Sequence, residues 1–197
     1  MLHVNDHLEK DILLPTFTAN LRGPALQAEV RSVYDPSSQT TFIKESLAQK
    51  LHCKVLHNID LTVKGFNSRK ASKAKLVEVL FLVGDKEFSI KAVTVPEFYF
   101  MICAPNLDKV VELFKARGYS LADKGLSKGQ ISDIEFMLGS NCAGILPVTS
   151  KLFSYDEGAI PSCYLDSPLG VMLQGSASLL ILHGQGLQVR SLANDSA

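Results

Sequence analysis

From Leu26 to Tyr34 the chain alternates, with Leu26, Ala28, Val30, Ser32 and Tyr34 facing one way and Gln27, Glu29, Arg31 and Val33 the other. A period of two predicts a half-buried β-strand, because successive side chains leave opposite faces of a pleated backbone. The strand carries Asp35 at its C-terminal end, and Asp35-Pro36-Ser37-Ser38-Gln39 reads as a turn. Upstream, short apolar runs around Pro15 between Leu13 and Leu21 suggest an edge strand, followed by a Gly23-Pro24 turn. Downstream the period lengthens. Ile43, Leu47 and Leu51 recur at i, i+4 and i+8, which predicts a helix over 42–51.

Further strands follow at 59–63 and 76–83, with a polar loop at 64–75 between them. Gly84-Asp85 turns the chain into a strand at 88–95, and Pro96 ends its ladder. The clearest helix spans 107–117: Asn106 can cap it, and Leu107, Val110, Val111 and Phe114 form one apolar stripe. Gly118 suits the residue just past its end, while Asp108 and the pair Lys115 and Arg117 match the helix dipole. A Gly/Lys/Ser-rich stretch at 120–132 reads as a loop, and 134–138 as a short buried strand ending at Gly139. Later apolar strands are expected at 171–173 and 179–182, with Gly175 between them. The pattern implies a mainly β (β-rich α+β) domain over 13–190, a flexible lead-in at 1–12 and a frayed tail at 191–197.

Composition adds exclusions. Lys+Arg and Asp+Glu number 20 each, so no whole-chain field selects nucleic acid or an anionic surface. An apolar content of 46% supplies a core and argues against disorder. No apolar run approaches the roughly 20 residues of a membrane span, and Met1-Leu2-His3-Val4-Asn5-Asp6 is too polar for a signal peptide. An intracellular protein, cytoplasmic or nuclear, is the expectation. Cys53, Cys103, Cys142 and Cys163 are scattered without a paired spacing, so no metal and no cofactor are expected.

Three landmarks carry a resemblance. The alternating strand ends in Asp35-Pro36-Ser37-Ser38-Gln39, followed by Thr41-Phe42-Ile43. Ile134-Glu135-Phe136-Met137-Leu138-Gly139 is an apolar strand closed by glycine, and Ser167-Pro168-Leu169-Gly170-Val171-Met172-Leu173-Gln174-Gly175 follows later. In this order the chain resembles the retropepsin-like aspartic protease domain of Pao/Bel-type retrotransposons, over roughly 13–175. Their active-site motif is Asp-Ser-Gly-Ser-Gln followed by Phe-Ile, and Val171 stands where they carry tryptophan. The resemblance implies an acid-protease barrel with one half-site per chain and, here, an additional helix. It also implies a homodimer in which Asp35 and its symmetry mate form the catalytic dyad. Two such carboxyls share a proton, one activating water and the other polarising the scissile carbonyl.

The turn departs from the family at two positions. Pro36 replaces a Thr or Ser whose hydroxyl and N–H lock two chains together, and proline has neither group. Ser37 replaces glycine, and its Cβ is penalised if the turn needs a positive φ. Three readings follow, the last being a monomer of the same fold that binds a peptide by strand addition at an exposed sheet edge. In the first, the domain is a domesticated, catalytically degenerate protease acting as a dimerisation or protein-binding module. In the second, it is an active homodimeric endopeptidase cutting a retroelement polyprotein through paired Asp35 residues. The 64–75 segment stands at the place of the family's flap, with Lys64, Gly65, Phe66, Arg69, Lys70 and Lys73, and only one glycine. It reads as a solvated basic loop or as a docking surface for an acidic peptide. Nucleic acid is not expected, because no aromatics beyond Phe66 interleave with the basic residues. Leu138-Gly139 and Leu169-Gly170 complete the candidate positions.

Overall fold

The computed structural model describes residues 12–64, 69–98, 107–126, 134–152 and 163–176. Its elements are β1 (Ile12–Leu13), β2 (Thr16–Arg22), β3 (Gln27–Asp35), β4 (Phe42–Lys44), α1 (Glu45–Lys50), β5 (Lys54–Lys64), β6 (Arg69–Val83), β7 (Lys86–Val95), α2 (Leu107–Ala116), β8 (Phe136–Gly139), β9 (Thr149–Leu152), β10 (Cys163–Ser167) and β11 (Gly170–Ser176). A short 3-10 turn, Ser140–Cys142, follows β8. The chain is mainly β, with two short helices among the described residues.

Seven strands form one sheet in the order β2-β3-β8-β4-β7-β6-β5. Asn20 to Arg22 of β2 also pair with Leu82 to Leu80 of β6, so six of the strands close into a ring and β5 stays outside it. The length of β6, 15 residues, makes this closure possible. Its first part pairs with β5, its last part with β7, and Leu80, Phe81 and Leu82 serve β2 as well. Inside the ring Phe81 meets Phe17 edge-on at 6.2 Å and stacks on Phe136 at 6.1 Å. Leu21, Ile43, Leu47, Val77 and Leu138 fill the space around these rings.

β8 lies between β3 and β4, which are neighbours in sequence. It runs parallel to β3 and antiparallel to β4. All four of its residues are buried, as expected for a strand hydrogen-bonded on both edges and packed on both faces. The other sheet, β1-β11-β10-β9, is also covered on both faces. Leu165 and Met172 face the main core, whereas Tyr164, Val171 and Leu173 face α2 through Val111 and Phe114.

Several sequence expectations are corrected by tertiary pairing. Residues 42–44 form β4 rather than the first turn of a helix, because Ile43, fully buried, is needed between β8 and β7. The polar stretch 64–75 is largely strand: β6 begins at Arg69, directly opposite Lys64. Its small residues, Ala71, Ser72 and Ala74, gave no apolar alternation to read, yet they pair in register with Thr62, Leu61 and Ile59 of β5. β2 is not an edge strand, since it pairs with β3 on one side and β6 on the other, and Pro15 sits before it. α2 ends at Ala116 with Gly118 in the left-handed region at φ 79°. There the Gly118 and Tyr119 N–H groups donate to the Lys115 and Phe114 carbonyls, a glycine-dependent helix end. Asn106 and the expected strand at 179–182 lie outside the described residues.

Residues 120–126 are irregular but partly buried. Ala122, Asp123 and Leu126 are buried. The Val171 N–H donates to the Ser120 carbonyl, the Ala122 N–H to the Val171 carbonyl, and the Thr18 N–H to the Ala122 carbonyl. Asp123 accepts from the Arg31 guanidinium at 2.7 Å, with both side chains nearly buried. This segment therefore ties the second sheet to the ring.

Candidate functional site

β3 ends at Asp35 in register with Gly139, the end of β8. Two landmarks far apart in the sequence thus meet side by side. Asp35 is half-buried, and its Oδ1 accepts the Ser37 N–H at 3.0 Å. The Ser38 N–H donates to the Asp35 carbonyl at 3.2 Å, which makes 35–38 a β-turn with Pro36 in its second position. Proline is favoured there, because its fixed φ matches the turn and the position needs no N–H. Among the described residues the only non-glycine with positive φ is His52. Ser37 therefore carries none of the strain its Cβ would suffer in the left-handed region, and serine in place of glycine is accommodated.

Behind the turn lies a clamp that sequence reasoning missed. Thr41 is fully buried, and its hydroxyl donates to Asn141 Oδ1 at 2.8 Å while accepting the Gly139 N–H at 3.1 Å. The Ser140 N–H and hydroxyl both donate to the Ser38 carbonyl, at 2.8 and 2.9 Å. The Ser38 hydroxyl in turn donates to the Thr40 carbonyl at 2.8 Å. Gly139 is required by proximity rather than by its φ of −91°. A Cβ there would lie 2.5 Å from the Thr40 carbonyl oxygen and 3.0 Å from that of Ser38. The available signal was the Thr40-Thr41 pair and the Gly139-Ser140-Asn141 run, but nothing in their spacing joins them.

The other candidates fall elsewhere. Gln39 is exposed at the turn, and Leu138 is buried in the ring core beside it. Leu169 and Gly170 form the β10–β11 hairpin of the second sheet, where the Ser167 hydroxyl donates to the Gly170 carbonyl at 2.7 Å. Gly170 takes φ 113° and abuts the Ser120 carbonyl, which would lie 2.6 Å from a Cβ. These residues serve sheet packing, and Val171 is buried under α2.

β5 and β6 form a long hairpin arm whose last ladder pair is Lys64 and Arg69, with Lys70 and Lys73 further along β6. Gly65 and Phe66 lie outside the described residues. Lys73 pairs with Asp60 across the ladder, and Lys75 with Glu45 of α1 at 2.8 Å. The Lys75 N–H donates to Thr94 Oγ1 at 2.9 Å where the arm leaves the ring. A cleft of about 440 Å³ opens at this root, lined by Glu45, Asn58, Asp60, Lys73, Lys75 and Thr94 among others. Opposite charges already matched across it leave no single-sign field for a small ion. Cys53 precedes the arm, and burial pushes its thiol pKa up against a backbone hydrogen bond that lowers it.

Among the described residues no cluster of His, Cys, Asp and Glu could hold a metal ion. Among them, too, no helix is long and apolar enough to cross a membrane. A scan against protein-family models found no match, and a search of curated proteins found none either.

Proposed function

We propose that the chain is a retropepsin-like domain of the Pao/Bel type whose active-site turn has become structural, so that it acts as a dimerisation or protein-binding module. The observation that carries this reading is the register of Asp35 with Gly139, because the two motifs behind the resemblance become adjacent strand ends. The closed ring of strands around them agrees with a barrel. The destinations of the turn's hydrogen-bonding groups support the loss of catalysis. Pro36 has no N–H or hydroxyl to reach a second chain. The Ser37 N–H turns inward to Asp35, and the Ser38 and Thr41 hydroxyls donate within the same chain. A carboxyl that must share a proton with a symmetry mate depends on such donors for its position, and misplacement of about 1 Å costs roughly 100-fold in rate.

The test is incubation of the purified domain with polyprotein-like peptides at mildly acidic pH, alongside Asp35→Asn. The expected result is no cleavage that depends on Asp35. Asp35-dependent cleavage would establish the rival reading, a homodimeric endopeptidase with one Asp35 from each chain. Mass measurement in solution examines the other half of the proposal: a strict monomer at tens of micromolar removes dimerisation and leaves protein binding alone.

A further inference from the structure

The arm formed by β5 and β6 has properties that the Asp35 site does not use. β5 pairs only with β6, so its outer edge presents backbone N–H and C=O groups with no strand partner among the described residues. Such edges are templates for another strand, and proteins that do not use them cover, shorten or break them. β5 runs for 11 residues, with one irregularity between Val55 and His57 and no proline, which leaves His57 to Lys64 as a regular edge. Val55 is 50% exposed, one of two large apolar side chains so open among the described residues, and Leu56, Ile59 and Leu61 are only half-buried.

The charge of the arm selects the partner. Between positions 54 and 75 Lys54, Lys64, Arg69, Lys70, Lys73 and Lys75 stand against one acid, Asp60, although the chain as a whole is neutral. Asp60 and the Glu45 of α1 engage Lys73 and Lys75, and a positive balance remains. A second copy of this chain is therefore a poor occupant, because edge-to-edge pairing would set two positive arms side by side. Nucleic acid is disfavoured by the extended backbone edge, which offers paired donors and acceptors to a peptide rather than stacking surfaces to bases.

We propose that the outer edge of β5 captures an extended acidic peptide of another protein by strand addition, with backbone hydrogen bonds supplying affinity and the basic arm supplying selectivity. This names a partner for the binding-module reading but needs neither Asp35 chemistry nor a dimer, so either can fail without the other.

Fluorescence anisotropy of the whole chain with a tagged, end-blocked octapeptide of alternating glutamate and valine tests it. Expected is saturable binding at least about tenfold tighter than for the lysine–valine counterpart, weakening as salt is raised. Methylation of alternate peptide nitrogens abolishes it, and amide exchange slows along Lys54–Lys64 in the complex. The double variant Lys54→Glu with Lys73→Glu weakens binding about tenfold while its thermal unfolding stays close to that of the parent, since both side chains are exposed. Equal affinity for both peptide charges, undiminished binding of the methylated peptide, or tighter binding of a single-stranded oligonucleotide overturns the proposal. So does a concentration-dependent dimer that protects the same amides without peptide.

Discussion

The Asp35 turn and the β5–β6 arm are held in place by opposite means. At the turn, a buried threonine hydroxyl, two serine hydroxyls and backbone amides form a closed set of hydrogen bonds around Gly139, which has no room for a Cβ. Along the arm, two strands share one ladder, and a side-chain bond across it, Lys73 to Asp60, is almost wholly in solvent. The Gly139 N–H to Thr41 bond is buried, with no water to replace it, while the Thr41–Asn141 bond is part-buried and the Ser140–Ser38 bond lies at the surface. Exposed ion pairs exchange readily with water and salt. The turn is thus rigid and specific by construction, and the arm is available.

The contrast breaks most directly at Gly139. Gly139→Ala forces a methyl group to 2.5 Å from a carbonyl oxygen that belongs to backbone, and it is expected to destabilise the fold by about 3 kcal/mol. Urea unfolding reads this, and a loss below about 0.5 kcal/mol would mean that the clamp yields and is not rigid. Next comes Thr41→Val, which leaves the buried Gly139 N–H without its acceptor at a cost of about 2 kcal/mol. Thr41→Ser should recover most of that loss, whereas a purely steric role for the side chain predicts no such recovery.

Alkaline pH probes the second sheet and supplies a reference for both regions. The Tyr164 phenol is raised above the usual tyrosine value, first by burial and then by its hydrogen bond and electrostatic coupling to Tyr119. Its folded pKa lies above the unfolded one, so its contribution is fully present below about pH 10. That contribution is lost as pH rises toward the folded value. Thermal midpoints should therefore fall above about pH 10 in the parent, and Tyr164→Phe should make the fall shallower. The smallest effect belongs to the arm itself. Lys73→Ala should change unfolding stability by less than about 0.5 kcal/mol, and a larger value would place the arm among the structural elements.

Much of the ring was legible in the residues. The alternation before Asp35 became β3, the glycine-ended run became β8, and the stripe of α2 buries Val111 and Phe114 as its spacing required. What escaped had physical causes. The Lys-Ala-Ser-Lys-Ala-Lys stretch of β6 holds no large apolar residue to reveal its strand, and its extended form comes from pairing with β5. The 42–44 segment has helical spacing but is drawn into the sheet, because β8 and β7 leave a slot that only an extended strand fills.

The amino-acid sequence by itself determined which segments must bury a face, where glycine and proline interrupt them, and that Pro36 offers no donor to a second chain. Those properties are local, since they depend on side-chain volume, φ preference and missing atoms. Only the tertiary structure decided that β8 inserts between β3 and β4, that Thr41 and Asn141 close behind the turn, and that β5, of the seven-stranded sheet, is left outside the ring. Pairing partners are chosen by long-range closure of hydrogen bonds and core packing, and no residue carries that choice in its own side chain.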